Sequence, residues 1–353
     1  MKSIWHCLLF ACLAVIAALH VGPAQAQATR TFVVAQGSDG NPCTFALPCR
    51  TFQHAHDVVA SGGEIDVLDP AGYGALTITK AISIQGHGYA GITVSPFATG
   101  ITINAGAQDD VSLRGLLIDG AVNGGVGGGY GVQLNTAQSL KIQECVLRNF
   151  INAGVYAPPA SASMTLTILN SVIVGNNNYQ NYGIAIGGGA GGGTAVLDHV
   201  TIEGTNSYGI TASSMTLTVT DSRILNTLAV QLSSVNAYVA DTTVAFGRDQ
   251  TGGALAATNG SLVLYRAAIY RNADGGVSLN GRTALIANSA VASNGASGVV
   301  AFNSGTLRLT RSVITGNVDG WAAGSGGVVS SYADNEIDGN TNSNNSPPVI
   351  GHK

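Results

Sequence analysis

Charge is scarce in this chain. Only 10% of its 353 residues are Asp, Glu, Lys or Arg, against roughly 25% in an average globular domain. Surface helices place such residues on their outer faces, so the shortage argues against a helical protein. Positive charge is not in excess either: 15 basic residues meet 19 acidic ones, a net of −4. A nucleic-acid partner calls for a basic face and is not expected. Long apolar runs are also missing. The one apolar stretch, Leu8 to Leu19, is well short of the roughly 20 residues that span a bilayer. No transmembrane segment is expected.

That short run has its own meaning. Lys2 precedes it and the small-residue site Ala24-Gln25-Ala26 follows it. This is the three-part pattern of a secretory signal, with the cut after Ala26. Residues 1–26 therefore read as a signal peptide, and the mature protein as exported, to the periplasm or beyond the cell. Leu9-Phe10-Ala11-Cys12 loosely resembles a lipidation site, but the cysteine sits inside the apolar run rather than after it. Loss of Lys2 leaves the mature chain slightly more acidic. Cys7 and Cys12 leave with the signal. Cys43 and Cys49 remain, six residues apart, and in an oxidising compartment they are expected to form a disulfide. No second Cys or His pair stands at metal-site spacing, so no metal is expected there. Cys145 reads as a small buried residue.

What the chain has in abundance is glycine, 48 residues, and a repeat. The segments Leu116-Leu117-Ile118, Cys145-Val146-Leu147, Ser171-Val172-Ile173, Val200-Thr201-Ile202 and Ser222-Arg223-Ile224 align on their third, aliphatic member. Thr242-Thr243-Val244, Ala267-Ala268-Ile269, Ser289-Ala290-Val291, Ser312-Val313-Ile314 and Asn335-Glu336-Ile337 continue the series. Periods of about 20 to 29 residues with strand-type alternation indicate a solenoid. Each repeat holds a second strand led by Gly, such as Gly154-Val155-Tyr156-Ala157 or Gly209-Ile210-Thr211-Ala212, and a third before the aliphatic column, such as Leu166 to Leu169. Three strands per coil make a prism with aliphatic ladders inside. Asn176, Asn272, Asn294, Asn317 and Asn340 recur at one offset after the column. Asn tolerates a left-handed corner, and stacked amides can bond from coil to coil. Leucine-rich repeats need a regular Leu pattern that is absent.

A solenoid needs capped ends. Thr51 is expected to cap a helix running through Ala60, with Phe52, Ala55, Val58 and Val59 on one face and Gly62 as its stop. The expected organisation is an opening segment with this helix over 27–62, an all-β coil body over 63–340 and a polar, disordered tail over 341–353. The elements Gly37-Ser38-Asp39, Pro48, Thr51-Phe52, Gly62-Gly63-Glu64-Ile65 and Gly72-Tyr73-Gly74 resemble the start of many exported β-helix proteins. The chain thus resembles the pectin-lyase-like right-handed parallel β-helix superfamily over nearly all its mature length. The resemblance implies the fold and leaves the activity open, because the superfamily holds lyases, hydrolases, epimerases, phage spikes and adhesins.

Several motifs lose their chemistry in context. Gly86-His87-Gly88-Tyr89-Ala90-Gly91 matches a dinucleotide fingerprint by letter, but a strand follows it instead of the helix that would hold a pyrophosphate. Gly-His-Gly with Asp109-Asp110 also resembles polygalacturonase motifs, yet in reversed order and without their Arg-x-Lys. The Gly-rich Gly124 to Gly131 lacks the recurring Asp of calcium repeats. Just before the aliphatic column stand Glu144, Asn170, His199, Asp221, Asp241, Arg266, Asn288, Arg311 and Asp334. His199, Asp221 and Asp241 are metal-ligand types, but opposite charges alternate along the column and a structural ladder is the reading adopted.

Two functional constellations remain. Asp249 and Asp274 share an offset on adjacent coils, with Arg248 and Arg271 nearby; paired carboxylates suit a glycosidase and Arg suits a uronate. Calcium belongs only to that lyase or hydrolase reading, and no other cofactor is expected. Against it, the outward residues of the Gly-led strands are Gln133, Tyr156, Ala185, Thr211, Gln231, Ala256, Ser278, Val300 and Ala322, and none is charged. Tyr156, Tyr179, Tyr182 and Tyr208, with Asn206 among nearby amides, instead suit sugar stacking. The expected function is a non-catalytic exported β-helix that binds a polysaccharide or cell-surface glycan or serves structurally; the alternative is a polysaccharide lyase or glycoside hydrolase.

Overall fold

A computed structural model describes residues 27–121, 126–158, 164–175, 181–189, 192–248 and 252–351. The chain winds into a right-handed parallel β-solenoid of about 10 turns. All pairings between the described strands are parallel, and strands join their equivalents in the coils before and after. One face is an eleven-stranded sheet made of the Gly-led strands, from Leu76–Ile78 to Trp321–Ala323. A second face carries strands such as Gly193–Asp198 and Thr216–Thr220. A third carries three-residue strands such as Thr201–Glu203 and Arg223–Leu225.

The aliphatic column closes in register along the third face. Ile118, Leu147, Ile173, Ile202, Ile224, Val244, Ile269, Val291, Ile314 and Ile337 are successive partners. All but the last are buried. Each such side chain gains about 1.5–3 kcal/mol from burial.

The corners are where the sequence was least legible. Between the second and third faces the backbone turns on one left-handed residue: Asn170, His199, Asp221, Asp241, Arg266, Asn288 and Arg311 have φ between 46° and 53°. The supposed charge ladder is therefore first a backbone feature. Its members keep their N–H groups in the coil-to-coil ladder, as in His199 to the Thr220 carbonyl (3.2 Å) and Asp221 to that of Ala240 (3.2 Å). The next residue turns inward, and its hydroxyl accepts an N–H from the preceding coil: Val200 to Ser222 (3.0 Å), Ala267 to Ser289 (3.1 Å) and Ser289 to Ser312 (3.2 Å).

At the following corner the expectation about asparagine needs correction. The left-handed residue is the one before it, Arg271 (φ 54°), Ser293 (φ 55°), Gly316 (φ 65°) or Gly339 (φ 63°). Asn272, Asn294, Asn317 and Asn340 are buried, and their amides bond from coil to coil at 2.8, 2.9 and 3.1 Å. The ladder was foreseen; its backbone conformation was not. Asn176 lies outside the described residues, as does the expected signal over 1–26.

Both ends are covered. The helix runs Phe52–Val58 and the Thr51 hydroxyl accepts the His54 N–H. It stops two residues before the expected Ala60 because Val59 is already extended and begins the strand Val59–Val67. Gln53 and His56 accept the N–H groups of Thr77 (2.8 Å) and Thr79 (3.1 Å), closing the sheet edge beside the helix. Cys43 and Cys49 are disulfide-bonded. Burial pushes the Cys145 thiol up to about 11. At the far end, residues 341–351 do not trail away as expected. Asn342 and Ile350 donate to Val318 and Ser331, and Trp321 donates to the Asn345 carbonyl at 2.7 Å. Their amide and backbone groups find partners on the last coils, which the polar composition concealed.

Candidate functional site

Close coil stacking requires the glycines of the Gly-led face. A Cβ at Gly131, Gly183 or Gly209 would come within 2.4–2.6 Å of the neighbouring coil. The residue before each of these glycines is a tyrosine, so the pattern Tyr-Gly-Val/Ile sets Tyr130, Tyr182 and Tyr208 at the corner leading into the face. Tyr130 and Tyr182 both pair with Ala153, one on each side. Tyr156, three residues on, places its ring against Tyr130, at 4.8 Å between centroids and 21° between planes. Tyr182 and Tyr208 stack likewise at 6.2 Å and 17°. Four successive coils thus each contribute one half-buried ring. Burial and the neighbouring Tyr156 raise the Tyr130 hydroxyl above its ordinary value.

Buried Asn181 fixes this corner. It donates to the Phe150 carbonyl at 2.9 Å and accepts the Asn206 N–H at 2.8 Å. Asn206 itself is exposed beside Tyr208. Next to the rings runs a chain of amides: Gln133 donates to Asn135 (3.0 Å), which donates to Asn104 (2.8 Å). The column expected to point outward is one register line, from Thr102 through Gln133, Tyr156, Ala185, Thr211, Gln231, Ala256, Ser278 and Val300 to Ala322. It is uncharged throughout. Such a surface offers ring faces, amide donors and acceptors and no charge, which is the chemistry that meets sugar hydroxyls.

The acidic constellation is placed differently. Asp249 lies outside the described residues, as does Tyr179. Asp274 accepts the Gly252 N–H at 2.7 Å. Arg248 reaches two carbonyls in earlier coils, Thr205 (2.8 Å) and Asn226 (3.2 Å), and so straps three coils together. Arg271 is exposed on a left-handed corner. Among the described residues no ion pair joins Asp274 to either arginine.

Tyr130, Asn104 and Asn135 were missed at the sequence level. The threefold Tyr-Gly-Val/Ile was the available signal, hidden by the adjoining Gly-rich stretch.

Residues 189–342 match the family model described as a right handed beta helix region. No curated protein sequence matches the chain. The catalytic domain of an alpha-1,3-glucanase in complex with tetrasaccharides aligns with a TM-score of 0.51 at 14% identity, over 94% of this chain and 70% of that one. An alginate lyase from Paenibacillus sp. str. FPU-7 aligns at 0.49 and 13%, over 85% and 99%. An endo-xylogalacturonan hydrolase from Aspergillus tubingensis aligns at 0.48 and 14%, over 92% and 99%. At these identities the likeness is one of fold.

Proposed function

We propose that this right-handed β-helix is an exported, non-catalytic glycan-binding protein whose ligand lies on the Gly-led face. The carrying observation is the set of four tyrosines from successive coils, set beside an amide chain on an uncharged face. The ring faces that meet within each pair are taken, so a sugar would pack on the outer faces and bond to the hydroxyl tips and amides. Affinity then comes from apolar contact and neutral hydrogen bonds, and it should change little with moderate salt.

Polysaccharide turnover is the second reading, favoured by the fold shared with the glucanase domain. The engagement of Arg248 and Asp274 with backbone groups speaks for a structural role of those side chains. A glycan array with the mature chain separates the readings. Alanine at Tyr130 and Tyr156, or at Tyr182 and Tyr208, should abolish binding, whereas alanine at Asp274 should leave it intact. Product release from a bound polysaccharide, lost on changing Asp249 or Asp274, would overturn the non-catalytic reading.

A further inference from the structure

Along the corner between the second and third faces, two acids are held by arginines. Glu144 is bound by Arg114 (3.0 Å) and Asp241 by Arg266 (2.6 Å). One stretch departs from this. Asp198, His199 and Asp221 bring a nitrogen and two carboxylate oxygens within 4.8 Å of one another. Among the described residues no Lys or Arg forms an ion pair with Asp198 or Asp221.

We propose that Asp198, His199 and Asp221 bind a divalent transition-metal ion of the zinc type. The donors are arranged by the fold. His199 (φ 53°) and Asp221 (φ 48°) occupy the same left-handed position in adjacent coils, which stack about 4.8 Å apart. Asp198 ends the strand before His199, in register with Thr220. The Thr220 hydroxyl donates to one Asp198 oxygen at 2.7 Å, and the other lies 3.1 Å from His199 Nδ1. Tetrahedral ligands at about 2.0–2.2 Å from zinc stand about 3.3 Å apart. The first pair already meets that spacing, and the exposed Asp221 carboxylate, within 4.8 Å, would close the remaining gap on binding. Thr220 acts as the partner that orients a ligating carboxylate. An imidazole among the donors favours zinc-like ions over calcium or magnesium, which take oxygen ligands. The cation would also supply the positive charge that arginine supplies elsewhere on this corner. Three protein ligands leave a coordination position open to water or a ligand oxygen. Asp241, grouped with His199 and Asp221 on sequence grounds, is held by Arg266 and stays outside the set.

The test is calorimetric titration of the mature chain, disulfide intact, with zinc chloride at neutral pH. One ion per chain is expected, with micromolar affinity. His199→Asn and Asp221→Asn should each weaken binding at least tenfold. Asn occupies this same corner at Asn170 (φ 47°) and Asn288 (φ 48°), so both variants should fold, and unchanged melting would verify it. Asp241→Asn and His87→Ala should bind as the parent does. Absence of binding, or parental affinity in His199→Asn, overturns the proposal. So does zinc binding that leaves the His199 imidazole resonances unmoved.

Discussion

Replacing Asn294 with alanine tests how the coils are held together. Its side chain is buried and sits midway in the amide ladder. Its Oδ1 accepts the Asn272 backbone N–H at 3.2 Å and the Asn272 amide at 2.8 Å. Its Nδ2 donates to the Ile269 carbonyl (3.2 Å) and to Asn317 Oδ1 (2.9 Å). Asn317 Oδ1 keeps a second donor, the Asn294 N–H. Among the described residues the Asn272 amide keeps only a long contact of 3.5 Å to the Val244 carbonyl, and its backbone N–H has no other acceptor. The variant therefore strands about two buried donors, each costing about 1–3 kcal/mol. A loss of about 3 kcal/mol follows, at the upper end for a single substitution. Thr205 and Thr227 hold the same position in earlier coils and are buried there, so Asn294→Thr should lose less than Asn294→Ala. Urea unfolding followed by circular dichroism measures both. A loss under about 0.5 kcal/mol for the alanine variant, the range of ordinary surface changes, would refute the reasoning.

Three further outcomes are expected. Asn288→Val puts a β-branched residue at φ 48°; thermal melts should show it destabilised by about 1–2 kcal/mol, while Asn288→Gly should melt at or above the parent temperature. Asp119 is partly desolvated, yet hydrogen bonds from Asn149 and Arg148 and the Arg148 charge hold its carboxyl below the ordinary value. Its contribution to stability is present above the unfolded pKa near 4 and fades as pH falls through the lower folded value. Asp119→Asn should therefore flatten the acid side of a pH–stability profile, and an unchanged profile would count against the pairing. Finally, mass spectrometry of the unreduced secreted protein should give a start near Gln27 and one disulfide between Cys43 and Cys49; a retained leader or two free thiols there would exclude the proposed export.

Much of the architecture was written in local chemistry. Residues such as Ile173, Ile224 and Ile314 recur as the central, inward member of a three-residue strand, and the strand period of two that turns them inward needs no tertiary information. Glycine at 183 and 209 marked the tight face, and the recurring Asn272, Asn294 and Asn317 marked a ladder. The outward column from Gln133 to Ala322 was also legible, since alternation fixes which side each residue faces. Other features depended on contacts between coils, across loops of unequal length. Only the wound structure decided that Arg271, and not Asn272, takes the left-handed conformation: the amide of Asn272 is worth more inside, bonded to Asn294, than at the corner. Only stacking placed Tyr156 over Tyr130, Arg248 across the carbonyls of two earlier coils, and Asp198 with His199 and Asp221. Sequence sets what each coil presents. The register between coils, fixed by backbone hydrogen bonds and the shared core, sets which side chains meet.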